Sequence, residues 1–222
     1  MQQLVLELAP PPAPSLENFF PGRNQAVLAA LREALAGGER VVYLWGGPGS
    51  GKTHLLRAAV SEAVVRGRAA RYMGAPHDEL ARATHWELLA VDDVERLDAA
   101  AQAALFDAFN AAKAAGASLI AAGAQPAADA PVREDLRTRL ASGVSLRLAP
   151  LDDAEKAAAL ASHAAQRSLR LGPELIAYLL THCRRDMGTQ IAVLDALDRY
   201  SLQEKRPVTL PLLREALKQF GN

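Results

Sequence analysis

Val41-Val42-Tyr43-Leu44-Trp45-Gly46-Gly47-Pro48-Gly49-Ser50-Gly51-Lys52-Thr53 is the stretch on which the reading of the chain turns. Its first five residues, apolar and rich in β-branched and aromatic types, read as a buried strand. The glycines that follow let backbone N–H groups curl around one point, and the stretch from Thr53 to Arg66, which Gly67 can terminate, reads as a helix. Strand, glycine-rich loop and helix in that order make a P-loop. Amides at a helix N-terminus hold a phosphate, Lys52 supplies charge to the β- and γ-phosphates, and Thr53 offers a hydroxyl to magnesium. A glycine-rich turn with a chance lysine would lack these flanks.

Outward from this stretch, further apolar strands are expected at 69–73, 88–91, 119–122 and 144–148, separated by helical or loop segments. A helix through 26–35 ends at Gly37-Gly38. The alanine-rich run Ala99 to Ala117 carries Leu105, Phe106 and Phe109 at helical spacing and reads as an amphipathic helix. This is the rhythm of a parallel sheet covered by helices. After Pro150 only helices are expected, at about 153–168, 173–183, 187–203 and 211–220, with Thr209 and Pro211 suited to the start of the last. The expected fold class is therefore α/β: a five-stranded parallel sheet with flanking helices over 15–150, then a small all-α lid over 151–222. Ala9-Pro10-Pro11-Pro12-Ala13-Pro14 cannot continue a helix or sheet, so 1–14 reads as a short tail on an extended spacer.

Composition bounds the partners. Lys plus Arg and Asp plus Glu are 25 each over 222 residues, without the basic excess of an independent DNA-binding domain. No apolar run approaches the roughly 20 residues that cross a bilayer, so no membrane partner is expected. Cys183 is a lone cysteine, and Met1-Gln2-Gln3-Leu4 lacks the basic-then-apolar pattern of a secretory signal; both point to the cytoplasm. The five histidines have no metal-ligand spacing, and Cys183, Trp45 and Trp86 read as packing residues.

Leu88-Leu89-Ala90-Val91-Asp92-Asp93 is an apolar strand ending in two acids, at the strand edge where ligands of open α/β sheets bind. In that place Asp92 would hold the magnesium shell and Asp93 would position or polarise water. Arg139, in Glu134-Asp135-Leu136-Arg137-Thr138-Arg139-Leu140, and Arg185, in Arg184-Arg185-Asp186-Met187, each carry a permanent charge and a fork of donors suited to a γ-phosphate. Either one taken alone reads as a surface salt bridge.

In this order, the P-loop, acidic strand end, two arginines and helical lid resemble the AAA+ ATPases, and within them the family of the bacterial replication initiator DnaA, from about Ser15 to Phe220. Leu16-Glu17-Asn18-Phe19-Phe20-Pro21-Gly22-Arg23-Asn24 looks like the family's lead-in segment. The resemblance implies ADP or ATP with Mg as ligand. Gly46, Gly47, Pro48, Gly49, Ser50, Gly51, Lys52, Thr53 and His54 would form the nucleotide site, with Phe19 and Phe20 beside the adenine and Arg185 as sensor 2. Arg139 resembles the arginine finger that reaches an adjacent subunit's nucleotide. The tail Gln3-Leu4-Val5-Leu6-Glu7-Leu8 is similar to a motif that binds the DNA polymerase sliding clamp, where Leu4, Leu6 and Leu8 would enter apolar pockets and the Gln3 amide would form hydrogen bonds. A first strand or a frayed terminus is the alternative for the same residues, and the Pro-rich spacer, which holds the motif away from the core, favours binding.

Such a module without a helix-turn-helix domain implies the family's short regulatory branch, whose partners are DnaA and the clamp and whose action is to promote hydrolysis of DnaA-bound ATP. A homodimer is also open, since AAA+ modules work through interfaces between neighbours. Where the family places a polar sensor 1 residue after the fourth strand, this chain has Gly123-Ala124 and only then Gln125, which puts intrinsic hydrolysis in question. A stand-alone ATPase of the helicase-loader type and a nucleotide-gated adaptor are the alternatives.

Overall fold

The strand that leads into the glycine-rich loop, β1 (Val41–Trp45), lies inside a five-stranded parallel sheet with β2 (Ala70–Met73), β3 (Leu88–Val91), β4 (Ser118–Gly123) and β5 (Val144–Arg147), in the order β2-β3-β4-β1-β5. This computed structural model describes residues 13–38, 40–75, 85–167, 169, 171–183 and 186–220. The tail residues Gln3, Leu4, Leu6 and Leu8 and the lid residue Arg185 lie outside that description. β3 and β4 are buried along their whole length, which is why they read as unbroken apolar runs.

Among the described residues four α-helices flank the sheet: α1 (Gln25–Leu35), α2 (Lys52–Val65), α3 (Ala99–Ala115) and α4 (Glu134–Ala141). Successive strand residues point to opposite faces, so one sheet supplies two cores. Val42, Leu44 and Ile120 pack with Leu31, Leu55 and Leu56 of α1 and α2. On the other face Tyr43, Leu89 and Leu119 pack with Leu105 and Phe109 of α3 and Leu136 and Leu140 of α4. Each such fully buried leucine contributes roughly 1.5–3 kcal/mol relative to exposure, which makes these faces the main source of stability.

α4 is a helix that the sequence pattern does not announce. Its eight residues carry only Leu136 and Leu140 as buried apolar positions, one turn apart. Glu134 and Asp135 in its first turn complement the positive end of the helix dipole.

Asn24, buried just before α1, pairs with the backbone of Ala149 in both directions: its Nδ2 donates to the carbonyl at 3.0 Å and its Oδ1 accepts from the amide at 2.9 Å. A side-chain amide here copies a backbone pair and ties the lead-in segment to the chain leaving β5.

The chain divides after Pro150. The unit from Leu151 contains α5 (Asp153–Gln166), α6 (Pro173–His182), α7 (Met187–Glu204) and α8 (Leu210–Phe220) around its own core of Leu160, Leu179, Leu194, Leu197, Leu212 and Leu213. Local signals fix the helix starts. Asp152 and Glu155 form a reciprocal capping box, Pro173 occupies the first turn of α6, and Asp186 accepts the Thr189 amide at 2.8 Å. Thr209 caps α8, its Oγ1 accepting from the Leu212 amide at 3.4 Å. Cys183 closes α6 half-buried, and burial pushes its thiol pKa up. Trp45 and Trp86 pack, partly buried, against the α3–α4 core. Among the described residues no helix is long and apolar enough to cross a membrane.

Candidate functional site

The loop Gly46 to Gly51 is held by both strands that flank β1. The Gly46 amide donates to the Gly123 carbonyl at 3.2 Å, and the Leu148 amide donates to the Trp45 carbonyl at 2.7 Å. A Cβ on Gly46 would lie 2.3 Å from the Leu148 carbonyl oxygen, so only glycine fits beside the chain leaving β5. Gly49 at φ +73° and Gly51 at φ +100° take the left-handed turns that bend the loop into α2. Gly51 is the N-cap of α2, with no side-chain cap and no acid in the first turn. No side chain caps the amides at this helix start and the helix's own first turn holds no acid, an arrangement that attracts an anion.

Lys52 folds back over the loop, its Nζ donating to the Gly46 carbonyl at 2.6 Å and to the Gly47 carbonyl at 3.2 Å. Thr53 Oγ1 donates to Asp92 Oδ2 at 2.5 Å, joining the start of α2 to the end of β3. Asp92 is 2% exposed, and the Tyr72 hydroxyl donates to the same oxygen at 3.0 Å. Burial, then the Asp92 charge, raise the Tyr72 pKa, so it remains a donor. Asp93 has φ 49° and ψ 52°, a left-handed backbone outside glycine, and its carboxylate stands 3.6 Å from Arg96 Nη1. A non-glycine residue held in that region costs about 1–2 kcal/mol, and such strain clusters at functional sites.

The lead-in segment lies against the same helix start. His54 Nε2 donates to the Ser15 carbonyl at 3.1 Å, and its ring is 5.7 Å from that of Phe19. Burial pushes the His54 pKa down, with the Ser15 hydrogen bond opposing, which favours the neutral ring. Phe19 also meets the loop: a Cβ on Gly51 would lie 2.8 Å from its ring edge. Phe20 is half-buried beside it in sequence.

At the end of β4 the structure gives a steric reason for glycine at 123. A Cβ there would lie 2.4 Å from the Tyr43 hydroxyl, 3.0 Å from Val94 and 3.1 Å from Glu95 Oε2. Tyr43 is buried and its hydroxyl is fixed by donating to the Gln125 carbonyl at 2.8 Å. Burial, then the Glu95 charge, raise its pKa. Glu95 Oε2 in turn accepts from the Ala124 amide at 3.3 Å. Tyrosine and glutamate thus fill the volume that a side chain at 123 would need. Gly123→Asn is accordingly expected to lower stability by about 1–3 kcal/mol rather than supply a polar sensor. Thermal melts of Gly123→Asn in the parent and in a Tyr43→Phe background measure this, with part of the loss recovered once the hydroxyl is gone. An unchanged melting temperature for the single variant would contradict it.

Arg139 lies elsewhere. It occupies the last turn of α4, its guanidinium 5.5 Å above the Phe106 ring, and lines a cleft with Arg40, Val41 and Gly143. Those residues mark the starts of β1 and β5, whereas the glycine-rich loop follows the end of β1. Four residue steps along β1 separate the two ends, about 13 Å of strand.

The described residues thus bring together Phe19, Gly51, Lys52, Thr53, His54 and Asp92, with Asp93 next in the chain, and they leave Arg139 apart. Tyr72, Tyr43 and Glu95 are contributions that the sequence did not single out. Tyr72 reaches Asp92 because β2 pairs with β3 in a register that sets Tyr72 opposite Ala90, and that register is a tertiary fact.

Comparison with known proteins agrees with this geometry. A family model described as the lid domain of Hda matches residues 153–217. Over 214 residues, 91% of this chain and 93% of the relative, the sequence is 35% identical to an uncharacterized protein of Haemophilus influenzae. The AMPPCP-bound DnaA of Aquifex aeolicus aligns at a TM-score of 0.70 and 27% identity, covering 87% of this chain and 69% of that one. The chain is an Hda-like, DnaA-homologous AAA+ protein. Domain III of Thermotoga maritima DnaA, at a TM-score of 0.72 and 21% identity over 96% of this chain and 99% of that one, has the same fold. The Hda-like lineage accounts for the helical lid as well as the sheet, and places the chain among DnaA-related regulatory replication factors.

Proposed function

We propose that this Hda-like chain binds an adenine nucleotide at Gly46 to Thr53, docks on the sliding clamp through Gln3, Leu4, Leu6 and Leu8, and promotes hydrolysis of ATP bound to DnaA through Arg139. The product is DnaA-ADP, so the chain acts as a negative regulator of replication initiation. The observation that carries this reading is the position of Arg139 at the start of β1 and β5, away from its own glycine-rich loop. A guanidinium there stands about a strand's length from the chain's own loop, which suits it to the γ-phosphate of a neighbour.

The nucleotide part of the proposal is supported by the uncapped amides at the start of α2, by Lys52, and by relatives whose structures hold AMPPCP. Mg fits the same place. The Thr53 hydroxyl, exposed at the helix start, and the buried Asp92 carboxylate meet at 2.5 Å, a hard-oxygen donor pair of the kind magnesium takes together with phosphate oxygens. Bound there, the ion would neutralise phosphate charge; Thr53 and Asp92 would hold it. Asp93 would orient water for whatever turnover the chain has of its own. The filled volume at Gly123 argues against rapid turnover and so against a stand-alone ATPase of the helicase-loader type, which purified chain would reveal by steady hydrolysis without DnaA.

Removing residues 1–8 tests the docking part. The truncated chain is expected to lose clamp binding in a pull-down while keeping its nucleotide affinity, because the unit that carries the glycine-rich loop spans Ala13–Pro150. Clamp retention at the parent level would remove the docking role from Gln3 to Leu8.

A further inference from the structure

The cleft that contains Arg139 has a volume of about 250 Å³ and is lined also by Arg40, Phe109, Asn110, Lys113 and Ser142. Three of its lining residues are cations and none is an acid. Among the described residues Arg40, Lys113 and Arg139 take part in no ion pair. Three cations without an ion pair among the described residues, set around one concavity, focus a positive potential there.

Lys113 and Arg139 each stand in the last turn of a helix, where a cation complements the dipole. That accounts for two of the three charges and requires no cleft. Arg40 belongs to neither helix. It precedes β1, yet its guanidinium comes to the end of α3, where a Cβ on Gly116 would lie 2.4 Å from Arg40 Nη1. Three separate segments, the start of β1, the end of α3 and the end of α4, thus deliver cations to one site.

A compact concavity whose charged lining residues are all cations suits a polyphosphate, whose clustered charges need several donors at once. A nucleic-acid backbone fits less well, since it is drawn by an extended basic surface and this chain carries 25 cations against 25 acids. We propose that Arg40 and Lys113 are positioning residues which, with Arg139, form a three-cation receptor for the triphosphate of a nucleotide held by the adjoining AAA+ subunit. This rests on the function proposed above. In it Arg139 stabilises the charge that develops during transfer, while Arg40 and Lys113 hold the triphosphate before the reaction begins.

The test is single-turnover hydrolysis of ATP bound to DnaA in the presence of DNA-loaded clamp, titrated with the parent chain, Arg139→Ala, Arg40→Ala, Lys113→Ala and the double Arg40→Ala/Lys113→Ala. Arg40 and Lys113 are exposed, so the single variants keep the experiment readable if the double variant melts early. The double variant is expected to need about tenfold more protein for half-maximal stimulation, to depend less on salt, and to reach nearly the parent rate at saturation. Lys113→Arg should restore the parent half-saturation. Parent-level half-saturation in the alanine variants, with Arg139→Ala inactive, overturns this inference alone, and so does a fall in saturated rate without a shift in half-saturation. Full stimulation by Arg139→Ala overturns the proposed function and this inference with it.

Discussion

Arg139→Ala is expected to lower stimulation of DnaA-bound ATP hydrolysis by about a thousandfold, the low end of what an arginine supplied in trans contributes to phosphoryl transfer. The fold should barely notice. Its described partner is the Phe106 ring, a cation–π contact of about 0.5–1 kcal/mol at a half-exposed position. A large loss of rate with a small change in melting temperature is therefore the signature of the proposed role. A structural salt-bridge residue would behave differently, since its loss would shift stability and leave the rate in proportion to the folded fraction. Arg139→Lys should recover little of the activity, because a point charge does not reproduce the planar fork. Stimulation by Arg139→Ala at the parent level would remove the finger assignment.

The second large effect is expected at the chain's own loop. Lys52 Nζ donates to the Gly46 and Gly47 carbonyls, which keeps the ammonium on the glycine-rich loop. On binding, those contacts would be exchanged for phosphate oxygens. Charge-assisted bonds of this kind contribute about 1.5–3 kcal/mol each, so Lys52→Ala should weaken nucleotide affinity about a hundredfold. The direct reading is the rise in melting temperature that nucleotide confers, which follows the logarithm of ligand concentration over dissociation constant. The parent should show that rise and the variant should not, at concentrations that saturate the parent. An equal rise in both would place the nucleotide elsewhere or make Lys52 dispensable.

Much of this architecture was legible because its signals are local. β1, the glycines and α2 follow one another without a gap, and their side chains announce strand, turn and helix in succession. β3 and β4 were readable as apolar runs because burial on both faces demands it, and Asp92 and Asp93 because acids end such a run abruptly. α4 was not legible. Between Glu134 and Ala141 only two leucines mark a face, and eight residues are too few for a period to emerge from a polar background.

The contacts between remote segments were also hidden. Asn24 meets Ala149, Tyr72 meets Asp92, and Arg40 meets the end of α3 because of strand order, and order is set by the pairing of whole elements. Glycine at 123 illustrates the difference. The sequence shows that a polar residue is missing after β4; the structure adds that Tyr43 and Glu95 occupy its place. Glycine at 123 is thereby a packed feature of the structure, and on the proposed function the loop would hold nucleotide with little turnover.

On the proposed function, the hydrolysis that matters takes place in the partner. DnaA carrying γ-labelled ATP, mixed with this chain pre-loaded with unlabelled ADP and with DNA-loaded clamp, measures it directly in a single turnover. Release of labelled phosphate at a rate that rises with added chain and falls to the background of DnaA alone with Arg139→Ala is the predicted result. Label that stays on DnaA at its unstimulated rate, while the chain hydrolyses only ATP added in solution, would contradict the account.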